Sequence, residues 1–167
     1  MDPLDELIGE NPKIVALRQT ARALLRRHEA ARRLPPILIE GETGTGKGFL
    51  ARLMQRTGPR ANAPFVDINC AAIPETLLEA ELFGYERGAF TDARQSKLGL
   101  FQVAHGGTLF LDEIGLLPRG LQAKLLTALE QGSIRRLGAT KNETVNVSII
   151  AATNKPLLAA VRKGSFR

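Results

Sequence analysis

The sequence is short of the residues that make covalent staples and metal cages. It has one cysteine, Cys70, so no internal disulfide can form, and a lone thiol fits a reducing compartment such as the cytoplasm. Its side chain reads as a small buried hydrophobe. The two histidines, His28 and His105, lie far apart with no partner at metal-ligand spacing. No apolar run approaches the roughly 20 residues of a membrane-crossing helix, and no signal-peptide core opens the chain. Repeats, low-complexity tracts, helix-turn-helix and zinc-finger patterns are also missing. These absences set aside disulfide-stapled secreted domains, membrane proteins and the common DNA-binding modules.

What remains is an ordinary globular composition, with 44% hydrophobic and 24% charged residues in 167. That length suits one domain burying roughly two-thirds of its unfolded surface. The net charge is +6. Part of it is ordered: Arg18, Arg22 and Arg26 recur every four residues opposite Ile14, Leu17, Ala21, Leu24 and Leu25. This spacing predicts an amphipathic helix with a basic outer face, solvated or turned to another subunit rather than to nucleic acid.

The most informative stretch runs from Gly41 through Glu42, Thr43, Gly44, Thr45 and Gly46 to Lys47, directly after the apolar Ile37-Leu38-Ile39. A strand, a glycine-rich turn and a helix leave several backbone N–H groups converging at the positive end of a helix dipole. Phosphate oxygens satisfy them, and Lys47 adds a charge for the β- and γ-phosphates. The next position usually carries a hydroxyl that ligates Mg²⁺, but Gly48 offers none. A carboxylate must serve instead. Thr108 to Leu111 reads as a buried parallel strand ending in Asp112-Glu113. Asp112 suits Mg²⁺, directly or through water, and Glu113 suits the base that polarises an attacking water.

Along the chain, a helix is expected from Asn11-Pro12 to about Arg33, followed by a nucleotide-binding α/β unit over 34–167. In that unit, strands are expected before the glycine-rich loop, at 65–68, at 108–111 and at 148–152, with helices at 47–55, from Pro74 to Gly84, and from Pro118. The stretch 85–98 reads as a protruding loop, and 134–137 with 144–147 as a hairpin about Gly138 to Asn142. Alternating strands and helices imply a doubly wound α/β fold with a parallel sheet flanked by helices. Lys47, Asn69, Asp112 and Asn154 would then converge at the carboxyl edge of that sheet.

Several blocks go further. Glu81-Leu82-Phe83-Gly84 followed by Gly88-Ala89-Phe90-Thr91-Asp92-Ala93 resembles the ELFG…GAFTGA segment of sigma-54-dependent transcription activators, an AAA+ class. Asn69-Cys70-Ala71-Ala72, Gly106 to Gly115 and Ala151 to Asn154 are similar to the same family, in the same order, from about Leu7 to Arg167. The resemblance implies a P-loop (Walker A and Walker B) ATPase core using ATP and Mg²⁺ and working as a homo-oligomeric ring on sigma-54 RNA polymerase. The guanine motif Asn-Lys-x-Asp does not occur, and ATP in preference to GTP rests on the resemblance alone. Asn69 would be the switch acting on Glu113, Thr153 and Asn154 the sensor of the γ-phosphate, and Arg167 an arginine acting on a neighbouring subunit's nucleotide. The loop 88–93 would contact sigma-54, supported by the hairpin near Arg135 to Asn142. Asp92 stands where the family has glycine, and Gly48 where it has glutamate. The family's small helical lid is missing from these 167 residues, so slow ATP turnover is expected of them alone. A core of this type could also serve as a nucleotide-gated interaction module that no longer contacts sigma-54.

Overall fold

Four runs rich in β-branched and aliphatic residues become the strands of one parallel sheet. The computed structural model describes residues 2–30 and 34–166. After a 3-10 turn at Pro3–Glu6 come α1 (Pro12–Ala30), β1 (Ile37–Glu40), α2 (Lys47–Thr57) and β2 (Phe65–Asn69). Then follow α3 (Glu75–Phe83), β3 (Gly84–Tyr85), β4 (Lys97–Leu98), α4 (Leu100–Val103) and β5 (Thr108–Asp112). A 3-10 turn at Ile114–Leu116 leads to α5 (Arg119–Gln131), β6 (Ser133–Ile134), β7 (Glu143–Thr144), β8 (Ser148–Thr153) and α6 (Leu157–Arg162).

The sheet order is β1-β8-β5-β2, with every neighbouring pair parallel. Side chains alternate along the strands, so the two central strands, β5 and β8, feed a core on each face. Phe110 and Ile150 point to the face covered by α1 and α2, where Ala21, Leu25, Leu50, Leu53 and Met54 are buried. Leu109, Leu111 and Ile149 point to the other face, against Leu78, Leu82, Phe101, Leu121 and Leu125. Burial on both faces explains why β5 and β8 read as continuous apolar runs, whereas Leu38 of the edge strand β1 is 46% exposed. The segment after β1 turns to one face and those after β5 and β8 to the other. That divergence opens a crevice at the carboxyl ends of the strands.

The expected basic outer face of α1 is corrected by the structure. Arg18 donates to the carbonyls of Leu7 and Gly9 at 3.1 and 3.2 Å. Arg22 bonds Asp2 at 2.7 Å and Asp5 at 2.6 Å. Two of the three arginines therefore bind the N-terminal segment, whose Leu4 is fully buried, and the carboxyl of Asp2 is held below its usual range chiefly by Arg22. Only Arg26 of that stripe remains exposed. The end of the predicted helix, 31–33, lies outside the described residues.

The stretch expected as a loop from 85 to 98 begins and ends in a two-stranded ladder, with Gly84 opposite Leu98 and Tyr85 opposite Lys97. Glycine is what permits it. A Cβ at Gly84 would lie 2.5 Å from Gly99 N and Lys97 O, and one at Gly99 would lie 2.3 Å from Gly84 N. The predicted hairpin is real but shorter, pairing Ser133 with Thr144 and Ile134 with Glu143. Leu137 lies beyond that ladder because its backbone is used elsewhere: its N–H donates to Gly84 O at 3.0 Å and its carbonyl accepts from Glu86 at 2.9 Å.

Candidate nucleotide site

Residues 41–46 leave β1 and enter α2 without a side-chain cap: Gly46, the residue before the helix, has φ 86° and offers no acceptor. The first N–H groups of α2 therefore face the crevice. Gly44 also has positive φ, 81°, and a Cβ at either glycine would meet nothing within 4 Å. Glycine is required there by the backbone angle, and the open space beside it suits a phosphate. The loop is braced from within. Lys47 Nζ donates to the carbonyls of Gly41 at 2.9 Å and Glu42 at 2.8 Å, and Thr45 Oγ1 donates to Glu42 O at 2.7 Å. Gly41 N donates to Thr153 O at 3.1 Å, which pins the loop to the end of β8. Lys47 is only 9% exposed, so its charge is partly shielded from water.

Asp112 closes β5 and pairs in register with Asn69 of β2. Its Oδ1 accepts from the N–H of Glu113 at 2.9 Å. Glu113 is the one non-glycine residue with positive φ among the described residues, at φ 55° and ψ 44°. A left-handed glutamate costs roughly 1–2 kcal/mol. Strain of this kind persists where surroundings impose it, and it clusters at functional positions. Its carboxylate Oε2 lies 3.4 Å from the N–H of Asn154. The carboxyl groups of Asp112 and Glu113 also act on Cys70. Burial first, and then these negative charges, push its thiol up to about 11, so the sulfur stays protonated and inert as expected.

The two residues Thr153 and Asn154, at and just past the end of β8, differ in exposure. Thr153 is fully buried, and its Oγ1 accepts from Lys155 N at 3.1 Å, so its side chain does not face the crevice. Asn154 is exposed, and its Nδ2 donates to Thr43 Oγ1 at 3.2 Å. That link joins residues 111 positions apart and carries no local sequence signal. Asn69 is exposed beside Asp112, and its Oδ1 accepts from Ala71 N at 2.9 Å rather than engaging Glu113. Gly48 sits in the first turn of α2, where a Cβ would touch the Phe110 ring at 3.6 Å, an ordinary contact. Arg167 lies outside the described residues.

No cluster of three or more histidine, cysteine, aspartate or glutamate side chains suited to a metal occurs among the described residues. Asp112 closes β5 at the same carboxyl edge of the sheet that β1 leaves for the glycine-rich loop, and its carboxylate fits Mg²⁺, which keeps most of its ligands as water and phosphate oxygens. No helix among the described residues is long and apolar enough to cross a membrane.

The loop 88–93 stands apart from the crevice. Phe90 is 43% exposed, yet its ring meets Tyr85 edge-on at 4.8 Å. Gly88 has φ 80° and its N–H donates to Ala93 O at 2.8 Å, closing the loop over a buried Ala93. Gly88, Thr91 and Asp92 face solvent, while Ala89 lies against Gly138 of the hairpin turn. Arg136 binds both Glu86, at 3.0 Å, and Glu143, at 2.5 Å, and so ties this loop to the hairpin.

Comparison with known proteins agrees with this architecture. The family described as Sigma-54 interaction domain matches residues 7–167. The Nif-specific regulatory protein of Azorhizobium caulinodans is 46% identical over 161 residues, covering 96% of this chain and 25% of that protein. The response regulator PilR of Pseudomonas aeruginosa is 46% identical over 166 residues, covering 99% of this chain and 36% of its own length. NtrX from Brucella abortus superimposes with a TM-score of 0.84 at 36% identity, covering 99% of this chain and 36% of that one. Its structure in complex with ATP gives a TM-score of 0.83 at 36% identity, over 96% of this chain and 33% of that one. The chain thus spans only a quarter to about a third of these relatives.

Proposed function

The chain belongs to the Sigma-54 interaction domain family, and from that premise we propose that it binds and hydrolyses ATP to drive contact with sigma-54 RNA polymerase. The observation that carries this reading is the convergence of the glycine-rich loop, Asp112, Glu113 and Asn154 on one crevice. The N–H groups entering α2 and the Lys47 ammonium would take the phosphates. Asp112 would hold Mg²⁺ through direct or water-mediated contact, and the ion when bound supplies positive charge against the phosphate oxygens. Glu113 would polarise the attacking water, and its strained backbone aims the carboxylate into the crevice rather than along the strand.

Asn69, exposed next to Asp112, is free to turn from Ala71 towards Glu113 and would act as the switch on that carboxylate. Asn154 would read the terminal phosphate. Arg167 would act in trans, within a ring of copies, on charge developing at a neighbouring nucleotide. The loop Gly88 to Ala93 would deliver the mechanical output, with Phe90 as the apolar anchor and Arg136 coupling the hairpin to it.

Hydrolysis by a concentrated solution of the chain tests the enzymatic part. Slow phosphate release from ATP is expected, abolished by a chelator and restored by Mg²⁺. Release indifferent to the chelator, or no release at any protein concentration, would contradict it.

A further inference from the structure

We propose that Thr43 is a positioning residue that aims the Asn154 carboxamide at the terminal phosphate and so sets the preference for ATP over ADP. This rests on the nucleotide-binding reading above and assigns a residue to it. An amide nitrogen carries two protons fixed in one plane. In this chain one of them is held by Thr43 Oγ1 at 3.2 Å, so the direction of the other is set as well. The hydroxyl that accepts this bond keeps its own proton for a second acceptor. Two donors, one on the glycine-rich loop and one on the sensor turn, are thereby presented side by side.

Both supports are rigid. Thr43 follows Glu42, whose carbonyl is gripped by Lys47 at 2.8 Å and Thr45 at 2.7 Å, and precedes Gly44. Asn154 follows Thr153, which is fully buried, paired with Glu40 in the sheet and bonded through its carbonyl to Gly41. The same Asn154 presents its backbone N–H to Glu113 Oε2 at 3.4 Å. Thr43, Asn154 and Glu113 therefore form one chain from the phosphate loop to the proposed base. On the reading above, the γ-phosphate is the group that meets Asn154, so removing Thr43 Oγ1 should weaken ATP more than ADP.

The test measures the affinities of the full chain for ADP and for a slowly hydrolysed ATP analogue. Thr43→Val should lower the preference for the triphosphate by about 3- to 10-fold, the worth of one oriented hydrogen bond. Any loss of ADP affinity in Thr43→Val should be smaller than its loss of triphosphate affinity, and Thr43→Ser, which keeps the hydroxyl, should retain both the preference and the thermal midpoint. On an Asn154→Ala background, Thr43→Val should have no further effect, because its action passes through that amide. An undiminished preference in Thr43→Val, or an equal further loss on the Asn154→Ala background, would overturn the proposal. Failure of the unsubstituted chain to bind either nucleotide would overturn the underlying reading instead, and this inference with it.

Discussion

Glu113→Gln is expected to bind ATP as the unsubstituted protein does and to hydrolyse it at least about 100-fold more slowly, the usual cost of losing a general base. The two side chains have the same shape, so the carboxamide oxygen of the variant can still accept the Asn154 N–H that now lies 3.4 Å from Oε2. The backbone keeps the same left-handed strain at φ 55°, so stability should not change. What disappears is the negative charge that polarises water. Measured binding and single-turnover hydrolysis separate the two effects. A variant that retains more than about a tenth of the turnover would remove Glu113 from the role of base. A variant that loses binding while remaining folded would show that the carboxylate serves the ground state instead.

Lys47→Ala should weaken ATP by about 100-fold, because a charge-assisted bond to phosphate is worth more than a neutral one and this one is partly buried. The same ammonium also binds the carbonyls of Gly41 and Glu42. Its removal leaves those acceptors to water and loosens the loop, at a cost of roughly 1–2 kcal/mol in stability. Lys47→Arg should not rescue binding, since a wide planar guanidinium cannot sit between two carbonyls spaced for a point charge. Titration with ATP, alongside thermal unfolding, reads both consequences. Near-normal ATP affinity in Lys47→Ala would mean that the phosphates rest elsewhere.

The central motif was legible because its physics is local. Ile37 to Lys47 carries an apolar strand, obligatory glycines and a helix start within eleven neighbouring positions, and the structure places the strand, turn and helix there. The Asp112-Glu113 pair was legible for the same reason, as acids closing an apolar run. Short elements were not. The four residues of α4 show no periodicity; their start is fixed by Gln102 reaching back to Gly99 N at 2.6 Å. Likewise the six-residue α6 is too brief for a helical pattern to emerge. Long-range pairings escaped too. The charge stripe on α1 looked like surface because its partners, Asp2, Asp5 and two carbonyls, lie up to twenty residues away in sequence. Thr43 and Asn154 were each visible as candidates, but their contact depends on β1 and β8 being neighbours, which only the assembled sheet provides.

The loop Gly88 to Ala93 is the proposed point of contact with sigma-54. Phe90 is partly held by Tyr85, and Asp92 adds a charge at the exposed turn, in the position where the GAFTGA segment has glycine. The most direct measurement is capture of purified sigma-54 by the chain with ADP–aluminium fluoride, a mimic of the phosphoryl-transfer transition state. Capture that requires the nucleotide, disappears in Phe90→Ala and strengthens in Asp92→Gly is the expected result. No capture by either the unsubstituted chain or Asp92→Gly, with nucleotide binding intact in both, would contradict a role in contacting sigma-54.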